Sequence, residues 1–283
     1  MKKKIVQLRK KANKIRRLII EMLSKAGSGH PGGSLSSTEI VTCLFFEVMR
    51  YNSEDPDWPE RDRFHLSKGH CCPVIYAALA LAGHFDMGKL WNLRKIDSLL
   101  QGHPDWRIPG IEVGSGSLGQ GLSVALGMGL AGKLDKKDWR VYCLMGDGEI
   151  QEGNIWEAAM AAAHFKVDNL CGIVDYNRFQ IDGHIEEIMG LEPLVNKWES
   201  FGWHTHQCDG HNIEELLEAF AEAKTVKQKP TVIIANTVKG KGVSFMEHVV
   251  DFHGRAPNNK EREIALAELE EIEKLMEEKD EQF

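Results

Sequence analysis

RVYCLMGDGEIQEGNIWEAAMAAAHFKVDNLCGIVDYN, residues 140–177, is the stretch that decides the fold. Arg140–Met145 ends a run of β-formers, and GDGEIQEG (146–153) breaks it with three glycines and acids. Ile155–His164 is rich in alanine and reads as a helix, and Leu170–Asp175 is a second apolar run. A strand, a helical crossover and a second strand at this separation form the unit that a parallel sheet requires.

Outward from this unit the same alternation continues. Phe64–Ser67 reads as a short strand and Pro73–Ala82 as an apolar helix. Trp203–Cys208 and Thr231–Thr237 read as strands with helix Ile213–Val226 between them. Strands alternating with helices predict an α/β fold, a doubly wound, mostly parallel sheet with helices on both faces. SGHPGGSL (28–35) reads as a loop before a helix running through Phe46, because Gly and Pro punctuate it.

The ends carry opposite charge. Residues 1–25 hold ten Lys/Arg against one acid, and residues 259–283 hold ten acids against four Lys/Arg. Ile5, Leu8, Ala12, Ile15, Ile19 and Met22 fall on one helical stripe, so the basic segment reads as a packed helix with a solvated basic side. The division expected is one domain over 1–258 followed by an acidic helical tail over 259–283, with Ala265, Leu269, Ile272 and Met276 on one face. The net charge of −7 argues against general affinity for nucleic acid. The apolar stretch Leu118–Leu134 is interrupted by glycines, Gln120 and Ser123, which suits a buried helix and not a membrane span. No secretory leader is visible, and the six cysteines lack CxxC spacing, so reduced core thiols in a cytoplasmic protein are expected.

The sheet order places the ends of strands 140–145 and 170–175 side by side, at the edge where open α/β sheets bind ligands. One end offers Gly146-Asp147-Gly148 and the other Asp175-Tyr176-Asn177. Asp147 supplies a charged oxygen and Asn177 a neutral one, which suits magnesium beside a diphosphate. Each feature alone is a routine turn or cap. Their pairing through one crossover is specific.

GDG, 27 residues and then Tyr176-Asn177 resembles the thiamine-diphosphate motif, with Tyr176 replacing the first Asn of its pair. The chain resembles the transketolase family from about Leu18 to Pro257. The resemblance rests on SGHPGG (28–33), RDRFHLSKGH (61–70), GHPD (102–105), GSGSLGQG (114–121), GDGEIQEG (146–153), NRFQIDG (177–183) and FHGRAP (252–257). It implies thiamine diphosphate and Mg2+, or another divalent cation such as Ca2+ or Mn2+, as cofactors. Asp147, Asn177 and the Phe179 carbonyl would hold the metal. His70 and His253 would lie by the diphosphate and thiazolium. His103 would contact the hydroxyl of the two-carbon fragment, and His30 would meet sugar hydroxyls with His253. Gly116 and Leu118 would approach the aminopyrimidine, Gly148 the diphosphate, and Ile181 would pack on the cofactor. Glu152 would join a carboxylate network between two cofactor sites, against the plainer reading of an acid favouring a helix N-terminus.

Single-chain members of the family are more than twice this length, and their second portion carries the glutamate that activates the aminopyrimidine. The expected remedy is a pyrimidine-binding partner chain in an α2β2 assembly acting on sugar phosphates, with a large apolar interface. Dihydroxyacetone synthase, 1-deoxyxylulose-phosphate synthase and a non-catalytic scaffold of the same fold are the competing readings.

Overall fold

The computed structural model describes residues 2–280; residue 1 and residues 281–283, the last of the acidic segment, lie outside the described residues. The chain opens with α1 (Lys2–Ala26), α2 (Pro31–Ser36) and α3 (Thr38–Cys43), followed by β1 (Arg63–Leu66) and α4 (Cys72–Leu81). The central part comprises α5 (Gly121–Leu134), β2 (Val141–Gly146), α6 (Gly153–His164) and β3 (Leu170–Tyr176). A two-stranded hairpin follows, β4 (Phe179–Gln180) with β5 (Gly183–His184), and then α7 (Ile185–Ile188) and α8 (Leu194–Ser200). The chain continues through β6 (His204–Asp209), α9 (Ile213–Thr225), β7 (Thr231–Asn236) and α10 (Asn259–Asp280).

The five long strands form one parallel sheet in the order β1-β2-β3-β7-β6. Side chains alternate between its faces. Tyr142, Leu144, Cys171, Ile173, Ile233 and Ala235 face α1, α3, α4 and α9. Val141, Cys143, Met145, Leu170, Val174, Val232 and Ile234 face α5, α6 and α8. Burial on both faces explains why the central strands are apolar throughout. The doubly wound arrangement read from the sequence is the one observed, and all six cysteines are free and buried. No helix among the described residues is long and apolar enough to cross a membrane.

One expectation fails. The Gly- and Pro-rich 28–35 segment is not a loop throughout, because Pro31–Ser36 is a fully buried helix. A Cβ on Gly33 would stand 2.6 Å from Cys71 Sγ, and one on Gly32 would stand 2.9 Å from the Phe252 carbonyl oxygen. The segment forms a helix despite two glycines because close packing requires them there, and packing outweighs a propensity cost of about 1 kcal/mol each.

The charged ends meet. Helix α10 lies along α1, with Asn13 donating to the Leu269 carbonyl at 2.8 Å and Arg17 pairing with Glu273 at 2.8 Å. Ala265 and Leu269 are buried in the core beside Ile15 and Ile19. Much of the basic character of the first helix is thus answered within the chain.

Candidate active site

Strands β2 and β3 run in register, with Gly146 opposite Asp175. Asp147, one residue further on, lies at the sheet's carboxyl edge and is 2% exposed. Its oxygens accept from the Gly148 N–H at 2.8 Å and the Arg178 N–H at 2.5 Å. Burial and the neighbouring Asp175 push its pKa up to about 7, so the carboxylate lacks full charge compensation. Asn177 donates to Asp175 at 3.0 Å, and its Oδ1 accepts from the Phe179 N–H at 3.1 Å. The Phe179 carbonyl accepts from the Lys239 ammonium at 3.1 Å.

Beneath this edge lies a charged network that sequence reading missed. Asp175 is fully buried and accepts from Lys68 Nζ at 2.5 Å, Ser36 Oγ at 2.6 Å and Thr237 Oγ1. Burial opposes its ionisation, yet the Lys68 charge and the hydroxyl donors outweigh that and lower its pKa. Lys68 also donates to the Gly33 carbonyl at 2.9 Å, linking α2 to the sheet edge. Glu149 is also buried; it accepts from the N–H groups of Gly146 at 3.0 Å and Gly119 at 3.1 Å, and from the Ser67 hydroxyl. Its carboxylate therefore ties three loops together. A lysine and an acid inside the glycine-rich blocks were the available signals, but nothing local to residue 239 marks Lys239.

The four histidines arrive from four loops. His30, His70 and His253 meet, with ring centroids 5.0 Å apart for His30 and His70, 5.7 Å for His30 and His253, and 5.4 Å for the stacked pair His70 and His253. Burial, aided by neighbouring positive charge, lowers His30 and His70 to about 4 and His253 to about 3. All three are neutral near pH 7 and able both to donate and to accept. His253 Nδ1 lies 2.7 Å from Lys239 Nζ, and His30 Nδ1 is buried with no hydrogen-bond partner among the described residues. His103 stands at the outer rim on a loop held by Tyr76, whose hydroxyl bonds the carbonyls of Gln101 and His103 at 2.9 Å each.

These groups line one cavity of about 440 Å³. Asp147, Asn177, Lys68 and Lys239 form its buried floor. Gly116, Leu118, Gly148, Glu152, Phe179 and Ile181 line the walls and rim, so every residue singled out from the sequence reaches this cavity. A Cβ on Gly116 would meet no atom within 4 Å. Leu118 and Ile181 are 41% and 64% exposed, giving the mouth an apolar rim. Glu152 is the residue that precedes α6 at its N-terminus, where an acid favours the helix dipole, and its side chain makes no capping hydrogen bond.

The donor set is a carboxylate, an amide oxygen and a backbone carbonyl at one sheet edge. Hard oxygens of this kind suit Mg2+ with a diphosphate completing its shell. No cluster of three His, Cys, Asp or Glu side chains is placed to hold a metal among the described residues. The orphaned His30 nitrogen and the raised Asp147 pKa fit a polar, cation-bearing ligand in the cavity.

A family model described as the thiamine diphosphate binding domain of transketolase matches residues 7–270. The chain belongs to the transketolase family. It is 46% identical over 271 residues to a 6-deoxy-6-sulfo-D-fructose transketolase subunit from Clostridium sp. (strain MSTE9), covering 95% of this chain and 98% of that protein. It is 43% identical to an apulose-4-phosphate transketolase subunit from Phocaeicola vulgatus, covering 93% of this chain and 94% of that one. Human transketolase is 45% identical over 92% of this chain, which spans only 42% of the human protein. The crystal structure of transketolase from Campylobacter jejuni superposes with a TM-score of 0.88 at 34% identity, over 93% of this chain and 42% of that one. This transketolase-family chain therefore has the extent of the separately named subunits, and under half that of the longer enzymes.

Proposed function

We propose that the chain is the diphosphate- and metal-binding subunit of a two-polypeptide transketolase, which moves a two-carbon ketol unit from a ketose phosphate to an aldose phosphate. The observation that carries this reading is the cavity at the β2–β3 edge, whose lining brings Asp147, Asn177 and Phe179 together with four histidines. Thiamine diphosphate, when bound, supplies the nucleophilic ring carbon and the electron sink of the reaction.

The chain's own groups do the rest. Asp147, Asn177 and the Phe179 carbonyl hold the divalent cation, magnesium or a similar hard ion. Gly148, His70 and His253 line the diphosphate and thiazolium side, with Ile181 packing from the rim. Gly116 and Leu118 leave room for the aminopyrimidine. His30, His103 and His253, neutral near pH 7, bind sugar hydroxyls and pass protons among them, each position worth about 10²- to 10⁴-fold.

Activation of the aminopyrimidine calls for a further carboxylate. Of the acids lining the cavity, Asp147 and Glu149 are both bound to backbone N–H groups, and Glu152 stands at the head of α6. A pyrimidine-binding partner supplies that carboxylate and covers the apolar rim, with Glu152 reaching toward a second cofactor site in an α2β2 assembly. Relatives matching nearly end to end are named as subunits, which supports this division.

The test is a coupled assay of the chain with and without a pyrimidine-binding partner, at saturating thiamine diphosphate and Mg2+. Xylulose 5-phosphate and ribose 5-phosphate are the first substrates, followed by 6-deoxy-6-sulfo-D-fructose and apulose 4-phosphate as donors. Turnover with the partner and none without it is expected. Substantial turnover by the chain alone would sink the two-chain reading.

A further inference from the structure

We propose that Arg94 is a positioning residue, which sets the spacing and orientation of the two loops that carry His30 and His103. The inference rests on the proposed function above for its catalytic consequence, but not for its geometry.

Arg94 follows the 3₁₀ turn Met87–Asn92 and has φ +61°, the left-handed region that a long side chain rarely occupies. Its N–H donates to the Leu100 carbonyl at 2.9 Å, closing the 94–100 turn and aiming the side chain back into the molecule. There the guanidinium lies against two glycines. A Cβ on Gly102 would stand 2.8 Å from Arg94 Nη2, 3.0 Å from Cζ and 3.2 Å from Nε. A Cβ on Gly29 would stand 3.8 Å from Nε, and Nη1 donates to Ser28 Oγ at 3.4 Å.

Gly29 and Gly102 are the residues immediately before His30 and His103. The planar cation thus contacts both histidine-bearing segments within two residues of the histidine, at Gly102 and at Ser28 and Gly29. No carboxylate pairs with Arg94 among the described residues, so salt-bridging does not account for its placement. A flat guanidinium fits a slot between backbone segments that an ammonium would not fill. Burial is the main cause lowering the pKa of His30 and His103, and the Arg94 charge adds to it in both. A misplacement of either ring on the scale of 1 Å would cost about a hundredfold in rate.

The test uses the full chain labelled with ¹⁵N-histidine, carrying Arg94→Ala, Arg94→Lys, Gly102→Ala and the Gly102→Ala/Arg94→Ala double substitution. Arg94→Ala should shift the ring resonances of His30 and His103 and leave those of His204 and His206 in place. Gly102→Ala should produce a similar shift by displacing the guanidinium, and should add nothing once Arg94 is alanine. Arg94→Lys should restore less than half of the wild-type resonance positions. In the reconstituted pair, kcat should fall about tenfold or more while the Kd for thiamine diphosphate with Mg2+ stays within about twofold. Unmoved His30 and His103 resonances, or a Gly102→Ala effect equal in both backgrounds, would overturn the proposal. If Arg94→Ala does not fold, Gly102→Ala and Arg94→Lys carry the decision. A wild-type pair without ketol transfer would refute the proposed function and leave the resonance test of Arg94 intact.

Discussion

Asp147 and Asp175 stand at the tips of adjacent parallel strands, one residue out of register, and only Asp175 has a cation bonded to it. Lys68 holds Asp175 at 2.5 Å, whereas among the described residues Asp147 accepts only from the backbone N–H groups of Gly148 and Arg178. Two buried carboxylates side by side cannot both ionise cheaply without two positive charges nearby. The chain provides one charge in direct contact, and the other carboxylate is the one positioned for a metal.

Asp147 should therefore report on the metal through stability. Its folded pKa of about 7 lies above the ordinary 3.8, so the folded chain binds the extra proton between these values. Stability contributed by this group is present below pH 3.8 and lost as pH rises toward 7, by about 4 kcal/mol at most. Urea unfolding of wild type and Asp147→Asn, compared across that range, should show the wild type losing ground as pH rises. Asp147→Ala should abolish Mg2+-dependent binding of thiamine diphosphate in calorimetry of the reconstituted pair while leaving the fold intact. Unchanged affinity would remove Asp147 from the metal site.

His103→Ala should lower turnover far more than cofactor affinity, because the ring sits at the outer rim of the cavity, away from the metal-binding edge. Tyr76→Phe, which removes the hydroxyl tying down the Gln101 and His103 carbonyls, should give a weaker version of the same split. Steady-state kinetics alongside cofactor titration separates the two. Equal losses in both quantities would mean that His103 mainly binds cofactor.

Lys68→Met should destabilise the chain by about 3–5 kcal/mol, since it leaves Asp175 buried and uncompensated. Pairing it with Asp175→Asn should recover part of that loss. Denaturant melts of the two single variants and the double variant give the coupling energy directly. A double variant as unstable as the sum of the singles would show that the ion pair contributes no coupling.

Glu39, which is not among the residues lining the cavity, provides an acid-side prediction. It is buried against Arg16 at 2.6 Å, with His211 at 2.9 Å. Burial would raise its pKa, but Arg16 and the His211 hydrogen bond prevail and bring it down to about 2 from 4.5. Its contribution to stability is full above pH 4.5 and lost as pH falls through 2, about 3 kcal/mol in all. Acid unfolding of Glu39→Gln should lack that portion of the wild-type slope.

The parts of the site that were legible in the sequence lie on short segments with strong local signals. GDG and Asn177 flank a helix of crossover length, and both ends of a parallel crossover must come out on the same sheet edge. The four histidines each sit in a glycine-rich block. Lys239 escaped notice because nothing near it in the chain specifies its partner, the Phe179 carbonyl 60 residues away, and Glu149 because its bonds to Gly119 and Ser67 are equally remote. The same limitation misread residues 31–36, whose helix depends on Cys71 and Phe252 crowding its glycines.

By itself, the sequence determined the alternation of strands and helices, the parallel sheet and the edge where ligands bind, since periodicity and crossover length are local properties of a chain. Tertiary structure alone decided that His30, His70 and His253 touch and that Lys68 answers Asp175 and leaves Asp147 uncompensated. It likewise joined the acidic last helix to the basic first one. Those outcomes depend on contacts across many tens of residues, made in a low-dielectric interior where small differences in distance settle which group keeps its charge.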